Sequence, residues 1–418
     1  MAVNQKINTT HNPQHTTNQK PELMAPAGDW TMLRAAVSNG ADAVYFGLDK
    51  LNMRAKAANF SVDELSEVVS FCKEYKVKTY LTLNTIVFEE ELSELEDIII
   101  AAKQNGVDRI ICSDLAVADL CYKHKMPFCI STQSSISNSL AADVYKRMGA
   151  VRIVLARECS LEEIIKIRAK TDLEIEAFVH GAMCIAISGR CFMSHHLFGK
   201  SANRGECIQP CRREFEVYDP AIGKSLIVGE DYIMSPKDLC TIEFIDQLIE
   251  AGIDSFKIEG RKRAPEYVAK AVSVYRKAID LYFEGNLTKE KKKVLLTELE
   301  KVYNRGFSSG FYFGTPSSEE YAGVEGSKAT TRKVYIGKVL NYFKEIEVAH
   351  ILIESGEIKV DDEILIMGET TGVLEIKLHQ MNVNDIEAKL AVRGDEITIK
   401  VPSLVRRNDK LYLIEHIK

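Results

Sequence analysis

The chain has 418 residues, 46% of them apolar and 27% charged, with a formal net charge of -6. This is enough apolar material for two or three packed domains, and no run of about 18 apolar residues exists to cross a membrane. The polar first twenty residues lack the apolar stretch of a signal peptide, and the acidic total excludes a chain that binds nucleic acid over its whole surface, though not one with a local basic patch. A cytoplasmic setting is expected, with the ten cysteines kept as thiols, metal ligands or redox groups rather than disulfides.

Residues 1–20 hold too little apolar surface to fold and form a disordered tail. From Pro21 onward, eight short apolar runs read as strands: 22–28, 42–47, 78–84, 109–114, 127–133, 151–157, 173–181 and 255–260. Helical patterns at 29–39, 62–75, 90–105 and 160–169 alternate with them, and Asp29 and Ser160 stand as N-caps. The rhythm predicts an α/β fold, a (β/α)8 TIM-like barrel over 21–325. It breaks once, at 182–254, between the seventh and eighth strands. Insertions after a barrel strand's C-terminal end sit over the catalytic face. Two further helices, after Pro265 and over 289–303, complete the unit. From about Arg332 to 418 the runs are short and alternating, with glycines between them, as in a small all-β barrel.

Alternation along the seventh strand puts Glu176 and His180 on the face away from the helices, pointing into the barrel, and the same reading turns Lys257 and Glu259 inward on the eighth. A buried carboxylate needs a partner, so a Glu176–Lys257 pair across neighbouring strands is expected. Glu176, His180, Lys257 and Glu259 are the candidate catalytic groups, for substrate binding or proton handling, and a purely structural ion pair is the plain alternative. Asn84, Asp114, Gln133 and Arg157 lie at other strand ends, where loop anchoring is the ordinary role.

Cys184, Cys191, Cys207 and Cys211 cluster inside the insertion, and their spacing lacks the paired knuckles of a zinc ribbon. Four converging thiolates suit either tetrahedral zinc or an iron-sulfur cluster, and Cys240 is a possible substitute ligand. The other five cysteines read as core residues. Arg190, Lys200, Arg204, Arg212 and Arg213 surround the cluster, while Arg157, Lys257, Arg261, Lys262 and Arg263 approach from strand ends. Together they form a basic funnel for an RNA backbone, a small anionic metabolite or both. His195 and His196 are loop residues that could serve as ligands. H-E-x-x-H does not occur in the sequence.

The segment EAFVHGAMCIAISGRCFMS (176–194) closely resembles the signature of the collagenase-like peptidase family U32. PELMAPAGDWTMLRAAVSNGADAVYFGL, STQSSISN, QPCRR, SPKDL, KIEGRKRAPEYV and YNRGFSSGF match further landmarks of that family. The resemblance extends from about Pro21 to the C-terminus, where the final β-barrel is similar to that of a translation factor. It implies one of two activities: proteolysis of collagen-like substrates, or iron-sulfur-dependent hydroxylation. Within the family the chain most resembles the branch associated with prephenate-dependent 5-hydroxylation of the tRNA wobble uridine. That resemblance implies a [4Fe-4S] cluster on Cys184, Cys191, Cys207 and Cys211, prephenate as co-substrate and tRNA as partner. A peptidase and a non-catalytic RNA-binding factor are the alternatives.

Overall fold

The structure is a computed structural model that describes residues 19–53, 55, 58–187, 189–213, 215–228, 234–322 and 326–417. The tail expected over 1–20 lies outside the described residues as far as residue 18. Lys20 is ordered against Asp280 at 2.9 Å.

Strands β1 (Glu22–Pro26), β2 (Ala43–Phe46), β3 (Lys78–Leu83), β4 (Arg109–Cys112), β5 (Phe128–Ile130), β6 (Arg152–Val154) and β7 (Glu174–Gly181) pair in chain order, all parallel. The insertion adds a hairpin, β8 (Phe215–Asp219) with β9 (Lys224–Val228), and strand β10 (Asp238–Cys240). Strand β11 (Ser255–Ile258) then pairs in parallel with both β7 and β1, closing an eight-stranded ring. Closure leaves the ring no open edge, and all eight expected strands belong to it.

Local chemistry explains the helices. Asp29 accepts a hydrogen bond from Met32 N at the start of helix 30–38, and Ser160 forms a capping box with Glu163 before helix 161–168. Each cap satisfies backbone donors that the first turn leaves free. Outward residues of the strands, such as Leu23, Val44, Ile110, Ile153 and Ile175, share one apolar core with the inner faces of the helices. Inside the ring lies a smaller cluster of Met24, Ala43, Tyr45, Tyr80, Ile111 and Cys129.

Where β7 leaves the ring it pairs antiparallel with β10, His180 opposite Cys240, and β10 pairs in parallel with β12 (Phe307–Ser308). The pairing of β7 with β11 slips here, from Lys257 opposite Phe178 to Ile258 opposite His180. Val179 is the extra residue of this bulge, and one extra residue reverses the facing of those that follow. His180 therefore points out of the barrel, against the expectation of an inward side chain. It packs on Tyr267, Tyr275 and Phe307, with ring centroids 5.4–5.7 Å apart. Gly181 follows at φ +108, where a Cβ would stand 2.6 Å from the carbonyl oxygen of Glu259, so only glycine fits.

The C-terminal unit has its own apolar core, including Ile336, Val339, Ile351, Ile364, Ile397 and Leu411. Eight of its strands form one antiparallel sheet around the long strand β13 (Thr331–Phe343). It rests on the helix side of the barrel through strand Gly372–Lys377, with ion pairs Lys333–Glu266 at 2.8 Å and Lys270–Glu375 at 3.1 Å.

Candidate active site

The inward residues of the barrel build a charged floor. Glu176, fully buried, accepts from Lys257 Nζ at 2.7 Å on one oxygen and from Arg152 Nη1 at 3.0 Å on the other. The Arg152 guanidinium also reaches Glu22 at 2.6 Å and Glu174 at 2.5 Å, and Arg109 closes on Glu174 at 2.6 Å. Burial opposes ionisation of Glu174, yet Arg109 and Arg152 outweigh it and hold that carboxyl at about 2. Glu22 is likewise held below the usual carboxylate range: Arg152 and Lys78 overcome its desolvation. The Lys257 ammonium also faces the Tyr45 ring at 4.5 Å and the Phe178 ring at 5.7 Å.

Above this floor opens a cavity of about 170 Å³. Its lower wall carries Lys257, Glu259, Arg261, Phe178 and Asn84, and its upper wall is the insertion. Arg261, 5% exposed, donates to Asn52 Oδ1 at 3.1 Å and Thr82 Oγ1 at 3.0 Å, while Arg157 lies 4.1 Å over the Phe178 ring. Cys184, Cys191, Cys207 and Cys211 all line this one cavity. They are also the only described cysteines that are not buried. Burial pushes the Cys211 thiol up, Arg212 opposes the shift, and the other three cysteines add to it. Among the described residues no three His, Cys, Asp or Glu side chains stand close enough together to hold a metal ion. The donor set itself, four thiols of one loop facing one space, fits a thiolate-bound centre.

The model of peptidase family U32 matches residues 28–322, most of the chain. The chain belongs to peptidase family U32. Three relatives carry that likeness over nearly their whole length. It is 42% identical to an uncharacterized protease of Methanocaldococcus jannaschii, covering 94% of this chain and 98% of that protein. It is 40% identical to a collagenase of Porphyromonas gingivalis, covering 94% and 97%. It is 42% identical to tRNA hydroxylation protein P1 of Bacillus subtilis, covering 88% of each. Both the family and its tRNA hydroxylation branch, read from the motifs, are thus met.

Other candidate residues of this U32 chain fall at varied distances from the cavity. Cys240 does not line it: the thiol sits behind β7 against Tyr275 and is pushed up to about 12 by burial. His180 is equally remote, and burial, with Arg263 nearby, pushes its imidazole down to about 3. Asp114 serves as an N-cap, accepting from Ala116 N at 3.0 Å, and also accepts from Val87 N at 3.1 Å. Gln133 lines the cavity and accepts from Ser131.

The basic funnel divides. Arg190 and Arg213 are exposed, the latter 4.8 Å over Phe198. Arg204 is committed to Glu91 through two hydrogen bonds and lies over Phe88 at 4.6 Å. Arg212 acts as a clamp, donating to Met183 O at 2.6 Å, Ser235 Oγ at 2.9 Å and Pro236 O at 3.0 Å. His195 and His196 are exposed on helix 193–198 and do not line the cavity. Among the described residues no helix is long and apolar enough to cross a membrane.

Sequence reasoning missed Arg152, Glu22 and Arg109. One signal was present: Arg152 and Val154 share a face of β6 that alternates with Ile153, so a charged residue was already placed inside the barrel.

Proposed function

We propose that this chain hydroxylates RNA, acting at the tRNA wobble uridine with prephenate as co-substrate. One observation carries the reading: the four clustered cysteines line the same cavity as the cationic barrel floor. Its likeness to a tRNA hydroxylation protein over 88% of both chains supports it. Cys184, Cys191, Cys207 and Cys211 would hold a [4Fe-4S] cluster, which supplies one-electron chemistry where the cavity opens. Lys257 and Arg261 offer charge to the carboxylates of a small anion, and the Phe178 ring gives a planar base an apolar wall. Glu259, on the same wall, is the residue best positioned to take or give a proton. Exposed Arg190 and Arg213 meet the RNA backbone outside. Mass spectrometry of tRNA nucleosides from a deletion strain tests this: 5-hydroxyuridine derivatives should disappear and return with the intact gene.

A peptidase is the second reading, favoured by the collagenase and protease names of two relatives of similar identity. It predicts cleavage of gelatin by pure protein that survives Cys191→Ala, with tRNA nucleosides unchanged in the deletion strain.

A further inference from the structure

Four motifs of the chain, QPCRR, SPKDL, KIEGRKR and YNRGFSSGF, supply residues that take no part in the barrel floor. Their side chains meet. Asp238, 1% exposed, receives Arg263 at 3.3 Å on one oxygen and Arg305 at 3.5 Å on the other. Arg212 is near enough that its charge acts on Arg305. Among the described residues two guanidinium groups thus share one carboxylate, with a third close by. Among the described residues the acceptors of Arg212 are all neutral, and Glu259, which Arg263 feels at longer range, faces the cysteine cavity.

Burying cationic groups in excess of their counter-charges is costly, and an added anion removes the cost. Both contacts to Asp238 are longer than the 2.7–2.9 Å typical of charge-assisted bonds, so Asp238 holds neither guanidinium tightly. Burial and the two neighbouring arginines also lower the pKa of Arg305 from its ordinary value. Arg263 lies 4.0 Å and Arg305 5.2 Å from the Tyr303 ring centroid. Their side chains remain 12% and 8% exposed, enough for a small group to reach them.

We propose that Arg212, Arg263 and Arg305 form a binding site for one phosphate group beside the cysteine cavity. The group comes either from an RNA strand or from a free phosphate compound. Arg212 gives the site its consequence: it follows Cys211 in the chain and grips the carbonyl of Met183, which precedes Cys184. A phosphate held there steadies two cysteine-bearing segments at once. The site does not depend on which reaction the cavity performs.

The test is thermal melting of the full chain in chloride buffer at constant ionic strength, with inorganic phosphate rising through the millimolar range. The wild type should show a saturable rise in Tm, and Arg305→Gln should abolish it. Asp238→Asn removes only the competing carboxylate, so its half-saturation should fall several-fold. A wild type without a saturable response overturns the site, as does loss of the response in Asp238→Asn as well as Arg305→Gln. Should Arg305→Gln fail to fold, Arg263→Gln set against Asp238→Asn makes the same comparison. Binding of an unmodified tRNA transcript then separates the sources. A log-log salt slope shallower by about 0.7–0.9 in the arginine variant marks an RNA phosphate, and an unchanged slope marks a free one. Failure of the site would leave nucleoside analysis of the deletion strain unaffected.

Discussion

Glu176 and Lys257 meet at 2.7 Å on the floor of the barrel, at 0% and 5% exposure. Because Arg152 holds the other oxygen of Glu176, losing Lys257 does not strand the carboxylate. Lys257→Met should cost about 1–3 kcal/mol, below the usual cost of breaking a buried pair. Arg152→Met leaves Glu22, Glu174 and Glu176 short of charge and should cost about 3–5 kcal/mol or more. Chemical denaturation at neutral pH measures both. Equal losses would mean that Arg152 does not dominate the network.

Stability should fall in acid in two windows. His180 is held at about 3 in the folded chain against 6.5 when free. The unfolded state then binds more protons below pH 6.5, and stability is lost as pH falls from there towards 3. By linkage this amounts to about 2 kcal/mol between pH 7.5 and 5. Glu174 and Glu22 are depressed carboxylates, whose contribution is present above about 4.5 and lost as pH falls below it. His180→Phe, which keeps a ring against Tyr267, should flatten the upper window and leave the lower one. An unchanged upper slope would assign that pH dependence to another group.

Protein purified without oxygen should be brown and contain iron and sulfide. Cys184→Ala, Cys191→Ala, Cys207→Ala or Cys211→Ala should each bleach it, whereas Cys240→Ala and Cys72→Ala, both buried away from the cavity, should not. Zinc alone in the wild type, or bleaching by Cys240→Ala with Cys211→Ala intact, would refute the assigned ligands.

The arginines of the funnel should not be equivalent. Arg204 is paired with Glu91, while Arg213 is exposed and lies over the Phe198 ring. Arg213→Gln should lower the log-log salt slope of tRNA binding by about 0.7–0.9. Arg204→Gln should leave the slope nearly unchanged and loosen the loop that carries Glu91, which limited proteolysis would detect.

The barrel was legible because its eight strands are apolar runs between well-capped helices, and the Glu176–Lys257 pair because the seventh and eighth strands had to meet. The orientation of His180 was not legible, since a bulge at Val179 leaves no mark in a period-two pattern. Arg204 looked free because its partner Glu91 lies 113 positions earlier, in another loop. Asp238, Arg263 and Arg305 were visible only as separate motifs. Their meeting depends on β10 and β12 lying side by side outside the ring, a pairing that no local pattern encodes.

That side sheet also sets an order of events during synthesis. The insertion is anchored by β10, and β10 in turn is flanked by a strand more than sixty residues further along the chain, Phe307–Ser308. Two whole helices, 265–283 and 289–300, must be made before that strand exists. Until then β10 has its partner β7 but not β12, so the insertion lacks one of its two flanking strands. The segment that carries the thiols therefore gains its full set of strand partners only after the sequence of all eight barrel strands has been made.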